Sequence, residues 1–186
     1  MFKTLPHGFV VLCLLVAQPS WAKPAEIILL RHAEKLPDDQ NPNLSPRGVQ
    51  RSLALPALLS TLSEATNHGA PAAIFAARPV AHAPSRRCLQ TIEPTAHEFH
   101  LSIQTPYPAT QFTQLAKELM TNHAYDGRTV IVCWVHDEIP ALARALGVRK
   151  VPAWSGKTFD RLWCLDCAGD KTILKNIPQH LLPGDS

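Results

Sequence analysis

Seven residues, Thr129 to Val135 (TVIVCWV), constrain this chain more than any other stretch. They are nearly all apolar and mostly β-branched, so they read as a strand buried on both faces. Such a strand belongs near the middle of a sheet that helices cover on both sides. The rest of the sequence alternates in the same sense. Glu26 to Leu30 (EIILL) and Ala72 to Ala77 (AAIFAA) are further short strand candidates, and Leu101 to Gln104 a shorter one. Between them run helix-length stretches with apolar residues at three- and four-residue spacing. Leu55, Leu58, Leu59 and Leu62 share one face, with Pro56 expected to kink that helix. Leu89, Ile92, Ala96 and Phe99 form another face, interrupted by Pro94 and capped by Ser85. Phe112, Leu115, Ala116 and Leu119 mark a third; Ile139, Leu142, Ala143 and Leu146 mark a fourth, stopped by Gly147. Ser45-Pro46 opens the first of these helices as N-cap and first turn. Phe159 to Ile177 reads as edge strands joined at Ala168-Gly169-Asp170. Strand and helix in alternation predict an α/β fold, a three-layer α/β/α sandwich with a mostly parallel central sheet.

The sheet does not include the first residues. Residues 1 to 22 hold one basic residue, Lys3, an apolar run from Phe9 to Ala17, and small residues at Ser20 and Ala22. This is the pattern of a cleavable secretory signal, and the run is shorter than the roughly 20 residues a spanning helix needs. Cleavage after Ala22 leaves residues 23–186 as a single catalytic-size domain, exported to the periplasm or medium, with no stable membrane association. The whole chain carries a net charge of +3 and no basic run, too mild a balance to imply nucleic-acid binding, and no nucleic-acid partner is expected. Cys88, Cys133, Cys164 and Cys167 remain after cleavage, enough for two disulfides in an exported protein. Cys164-x-x-Cys167 sits in a strand-like stretch rather than at a helix start, so a structural disulfide or free thiols fit it better than a redox pair. No second pair completes a zinc site, and His97-Glu98-Phe99-His100 is one residue short of the H-E-x-x-H spacing.

Functional groups in such sheets collect beyond the carboxyl ends of the strands. The first strand delivers Arg31 and His32 there, and the strongest strand delivers His136. A neutral imidazole can attack phosphorus and carry the phosphoryl group briefly, dividing one hydrolysis into two easier steps. Arginine presents a planar fork of donors that matches phosphate oxygens. Arg86 and Arg87 open the second helix, where one of them can point at an anion, the other being solvated. Asp137 is a natural N-cap for the helix after His136. Glu34, Lys35 and Arg78 lie in loops at the same edge, where they can grip the rest of a substrate.

Taken together, these stretches resemble the histidine phosphatase superfamily, which includes phosphoglycerate mutases and acid phosphatases. Arg31-His32 with Glu34 is similar to the R-H-G-E signature, with Ala33 in place of glycine. Leu44-Ser45-x-x-Gly48 is similar to the L-[ST]-x-x-G helix start, and Arg87 with Gln90-Thr91 to R-x-x-Q-T. His136 stands where the second histidine falls. The resemblance implies a phosphoglycerate-mutase-like fold and a metal-independent phosphomonoester hydrolase without cofactor, acting on a small phosphorylated substrate. It implies His32 as nucleophile, with Arg31, Arg87 and His136 on the phosphoryl oxygens, where fixed positive charge does most of the catalysis. Many members take a proton donor from a loop glutamate, but residues 105 to 114 contain no acid. Other members use an aspartate after the second histidine. Asp137 occupies that place, with Glu138 as its rival. The competing expectation is a secreted non-catalytic binder of a phosphate-bearing ligand on the same fold.

Overall fold

The computed structural model describes residues 23–38 and 40–186. The expected signal at 1–22, including Cys13, lies outside the described residues. Six strands form one sheet in the order β3-β2-β4-β1-β5-β6. They are β1 (Glu26–Arg31), β2 (Ala73–Ala76), β3 (Ile103–Gln104), β4 (Thr129–Trp134), β5 (Arg161–Asp166) and β6 (Ile173–Pro178). β1, β2, β3 and β4 run parallel, and β5 and β6 are antiparallel additions. The helices are α1 (Pro46–Thr61), α2 (Ser63–Thr66), α3 (Arg87–Glu98), α4 (Phe112–Thr121) and α5 (Ile139–Ala145). α1 packs on α3 and α4 on α5, and the two pairs cover the sheet. This is the expected α/β sandwich with a mostly parallel sheet.

The centre of the sheet follows directly from composition. β1 and β4 are buried along their whole length and pair in parallel from Glu26↔Thr129 to Arg31↔Trp134. Their side chains join β2 and β5 in one core, with Trp134, Trp163 and Phe75 among its largest members. Four expectations need correction. β5 is not an edge strand, because β1 pairs with it on one side and β6 on the other. Only β6 is an edge at that end, and its exposed Ile173 and half-polar pattern fit that place. Asp137 is not the N-cap of α5. That position belongs to Glu138, without a side-chain cap, because Val135 accepts from both the Glu138 and Ile139 amides. The cap position of α3 is Arg86, and Ser85 reaches the Arg87 amide only at 3.5 Å. Finally, α3 runs unbroken through Pro94, where an interruption is expected, and Pro56 lies inside α1 as expected.

All four cysteines among the described residues are buried free thiols. Burial pushes Cys167 up to about 12 and Cys164 higher still, which keeps both protonated and makes them poor redox nucleophiles. No helix among the described residues is long and apolar enough to cross a membrane.

Candidate active site

β1 and β4 end side by side. The His32 amide continues their ladder by donating to the Trp134 carbonyl at 3.1 Å. The chain therefore releases Arg31-His32 and Val135-His136 at the same edge. His32 is 4 % exposed, and its Nδ1 lies 2.8 Å from the Ala33 carbonyl oxygen. A carbonyl can only accept, so Nδ1 carries the proton and Nε2 holds a free lone pair. Burial drives the imidazole pKa down to about 4. The Ala33 bond opposes that shift, and the positive fields of Arg31, Arg87 and His136 reinforce it. At neutral pH the ring is uncharged and nucleophilic.

Arg31 is buried to 2 % exposure. Its Nη1 donates to the carbonyl oxygens of Gly156 at 2.7 Å and Thr158 at 3.1 Å, and its guanidinium carbon lies 3.8 Å above the centre of the Phe159 ring. Its Nε is buried with no partner among the described residues. Burial lowers its pKa to about 10. Arg87 enters from the first turn of α3, where its Nη2 donates to the Asn41 carbonyl at 2.6 Å. His136 faces the same space. Its pKa is lowered, first by burial and then by Arg31. Its Nε2 stands 3.1 Å from Asp137 Oδ1, and 78 % of the Asp137 side chain is exposed. A Cβ at Gly156 would come within 3.0 Å of His136 Nε2, so the backbone that holds Arg31 also abuts His136. Arg31, His32, Arg87 and His136 thus converge on one corner, with Asp137 at its mouth.

The surrounding motif residues build the frame. Thr91 Oγ1 accepts from the Ala33 amide at 2.8 Å and donates to the Arg87 carbonyl at 2.7 Å, which ties the loop after β1 to the start of α3. Gln90 accepts from the Leu44 amide and donates to Asn43. Ser45 caps α1 through the Gly48 amide, and a Cβ at Gly48 would collide with the Glu34 carbonyl oxygen. Only glycine allows α1 to approach the loop that closely.

Glu34 and Lys35 part company. Glu34 is gripped by Arg51, with Nη2 to Oε1 at 2.7 Å and Nε to Oε2 at 3.0 Å. Arg51 also binds Asp185 through two bonds of 2.7 and 2.8 Å, and Gln179 at 3.1 Å. Against the opposing effect of burial, these carboxylates hold the Arg51 pKa far above its ordinary value, and the Arg51 guanidinium in turn holds the Asp185 pKa far below its own. Glu34 therefore faces an internal clamp, whereas Lys35 lies close enough to act on His136. Arg78 is exposed on the opposite rim, where its amide donates to the Tyr107 carbonyl. The sequence reading missed Arg51, Asp185 and the 156–159 segment. Arg51 had a signal, since it falls on the buried stripe of α1 with Gly48, Ser52, Leu55 and Leu59. A charge on an apolar face needs a partner. The 156–159 segment has no comparable pattern. Among the described residues, no three His, Cys, Asp or Glu side chains are grouped to hold a metal ion.

No protein-family model matches the sequence, and no curated protein matches it. Solved structures do. A mycobacterial glucosyl-3-phosphoglycerate phosphatase with inorganic phosphate superposes with a TM-score of 0.55 at 13 % identity, over 82 % of this chain and 95 % of that one. The phosphoserine phosphatase of Entamoeba histolytica with 3-phosphoglyceric acid gives 0.57 at 13 %, over 84 % and 99 %. The phosphoglycerate mutase of Plasmodium falciparum gives 0.54 at 14 %, over 87 % and 95 %. With its sheet order and its paired helices, the chain has the phosphoglycerate-mutase-like fold that these solved structures share.

Proposed function

We propose that the chain is an exported, metal-independent phosphomonoester hydrolase that works through a phosphohistidine on His32. The observation that carries this reading is a buried, neutral imidazole whose Nε2 is unprotonated, set beside the guanidinium groups of Arg31 and Arg87 and the imidazole of His136. Nε2 attacks phosphorus while the bond from phosphorus to the ester oxygen breaks. Arg31 and Arg87 bind the equatorial oxygens, where their charge counts most in the transition state, and His136 adds a ring N–H donor. The Arg31 Nε, buried without a partner, is a donor that such an anion would satisfy. The leaving oxygen takes its proton from the carboxyl of Asp137. The resulting carboxylate then takes a proton from the water that attacks the phosphohistidine, which releases phosphate and restores both groups. Exposure of Asp137 beside His136 supports this exchange with solvent.

The structural neighbours include phosphatases of phosphoserine, of glucosyl-3-phosphoglycerate and of phosphohistidine in proteins. They support a small phosphorylated substrate without choosing one. The test is rapid quench of the mature chain into alkaline detergent, in which a phosphohistidine survives, after mixing with an aryl phosphate labelled at phosphorus. Label is expected on His32 and absent in His32→Ala, with steady phosphate release that survives a chelator. Saturable binding without label or release would instead make the chain a secreted binder of a phosphate-bearing ligand. The absence of an acid from residues 105 to 114 is the feature that favours that alternative. Export is checked separately, by whether the chain recovered outside a secreting host begins at Lys23.

A further inference from the structure

Beside the charged corner lies a cleft of different character. Ala77 at the end of β2, Cys88 on α3 and Val135 after β4 form its floor. Val80 stands on one wall, Pro108 and Ala109 on the other. Both walls are held by backbone bonds. Val80 and Ala83 exchange amide-to-carbonyl bonds of 3.1 and 2.9 Å, which closes residues 80 to 83 into a tight turn. Across the gap, Trp134 Nε1 fixes the Ala109 carbonyl at 3.0 Å. The space enclosed is about 80 Å³, and Arg78 is the one permanent charge among the described residues that line it.

This cleft shares its rim with the side that carries Arg87. His82, Ala83 and Ser85 border it and also border a second, outer cleft of about 210 Å³ that contains Arg87. Cys88 adjoins Arg87 in the chain, and Val135 adjoins His136. A phosphoryl group held by Arg87 and His136 cannot enter an apolar hole without losing its hydration. Its ester substituent can.

We propose that this cleft receives the alcohol part of the substrate, so that the preferred ligands are phosphate esters of short alkyl or aryl alcohols rather than of multiply charged metabolites. The inference rests on the hydrolase reading for the position of the phosphate. Its chemistry comes from the wall: one rim arginine offers little to a second or third negative charge, whereas every methylene buried here gains affinity.

Calorimetric titration of the full chain with methyl-, ethyl-, propyl- and butylphosphonate tests it without requiring turnover. These probes keep a phosphate-like head and cannot be hydrolysed. Affinity is expected to rise roughly fourfold per methylene until the hole is filled. Val80→Asp places a carboxylate on the wall and flattens the series while leaving methylphosphonate binding within about twofold. Ala109→Glu repeats the test from the facing wall, should Val80→Asp fail to fold. A flat series in the unaltered chain, no binding of any phosphonate, or tighter binding of 3-phosphoglycerate than of butylphosphonate overturns the proposal. Turnover of methyl and butyl phosphate is followed in parallel. A rising phosphonate series without turnover removes the hydrolase reading and leaves the pocket standing.

Discussion

Arg31 and Arg51 are buried to the same 2 % exposure, and their surroundings differ in kind. Arg51 is saturated by the carboxylates of Glu34 and Asp185 and by Gln179. Arg31 has two carbonyl oxygens and an aromatic face, and its Nε has no partner among the described residues. The pKa shifts follow: Arg51 is raised by its anions, while Arg31 is lowered by burial that the nearby negative fields do not offset. Burial therefore does not separate a structural arginine from a functional one. The partner does. An arginine closed by carboxylates holds the fold together, and in the proposed reading the one left on carbonyl oxygens takes the anion from outside.

The contrast can be broken by exchanging the two losses. Arg31→Met should lower kcat/KM for an aryl phosphate by about a thousandfold, or ~4 kcal/mol of transition-state stabilisation, while the urea unfolding midpoint holds or rises. A collapse of stability with it would erase the distinction. Arg51→Met should do the reverse, costing about 2–3 kcal/mol in urea unfolding by leaving Glu34 and Asp185 with the more exposed Arg47 as their shared cation, with turnover of the folded fraction within about tenfold. Inorganic phosphate at a hundred times its Kd should then stabilise the unaltered chain by about 2.7 kcal/mol, a shift lost in Arg31→Met and kept in Arg51→Met. Thermal or urea melts with and without phosphate read this directly.

The smallest effect comes from the opposite end of β1. Glu26 is a buried carboxyl whose pKa is pushed up to about 8 by burial and by Asp166 and Glu64, with Lys175 opposing. Between about pH 4.5 and 8 the folded chain keeps this proton after the unfolded chain has released it. Stability is therefore fully present below that window and falls as pH rises through it. Glu26→Gln should flatten the decline by about 1–2 kcal/mol in unfolding measured across the range. An unchanged slope would show that the carboxyl finds compensation. His32 has the opposite sign, because its depressed pKa removes stability as pH falls from about 6.5 to about 4.

The legible parts of the molecule were those with local signals. β1 and β4 announce themselves as unbroken apolar runs, and strand ends and helix starts mark where Arg31, His32, Arg87 and His136 emerge. The interior place of β5 was not legible. Arg161-Leu-Trp-Cys-Leu-Asp166 has polar ends, and what draws it inward is the unpaired flank of β1, a partner some 135 residues earlier in the chain. The Arg51 clamp hid for the same reason. Asp185 is 134 residues away, and no periodicity links the two. Asp137 was misplaced as a cap because the helix starts one residue later, which leaves its side chain beside His136.

Gly156 ties two members of the corner to a single hinge point. Its carbonyl anchors Arg31, while its missing side chain leaves room for His136. Shifting this one residue by an ångström would therefore misalign an anion ligand and a proton-bearing ring in the same stroke, so the corner should lose function all at once rather than by degrees. Gly156→Ala, made on a surface loop outside every helix and strand, would be silent in any assay of folding and loud in any assay of chemistry.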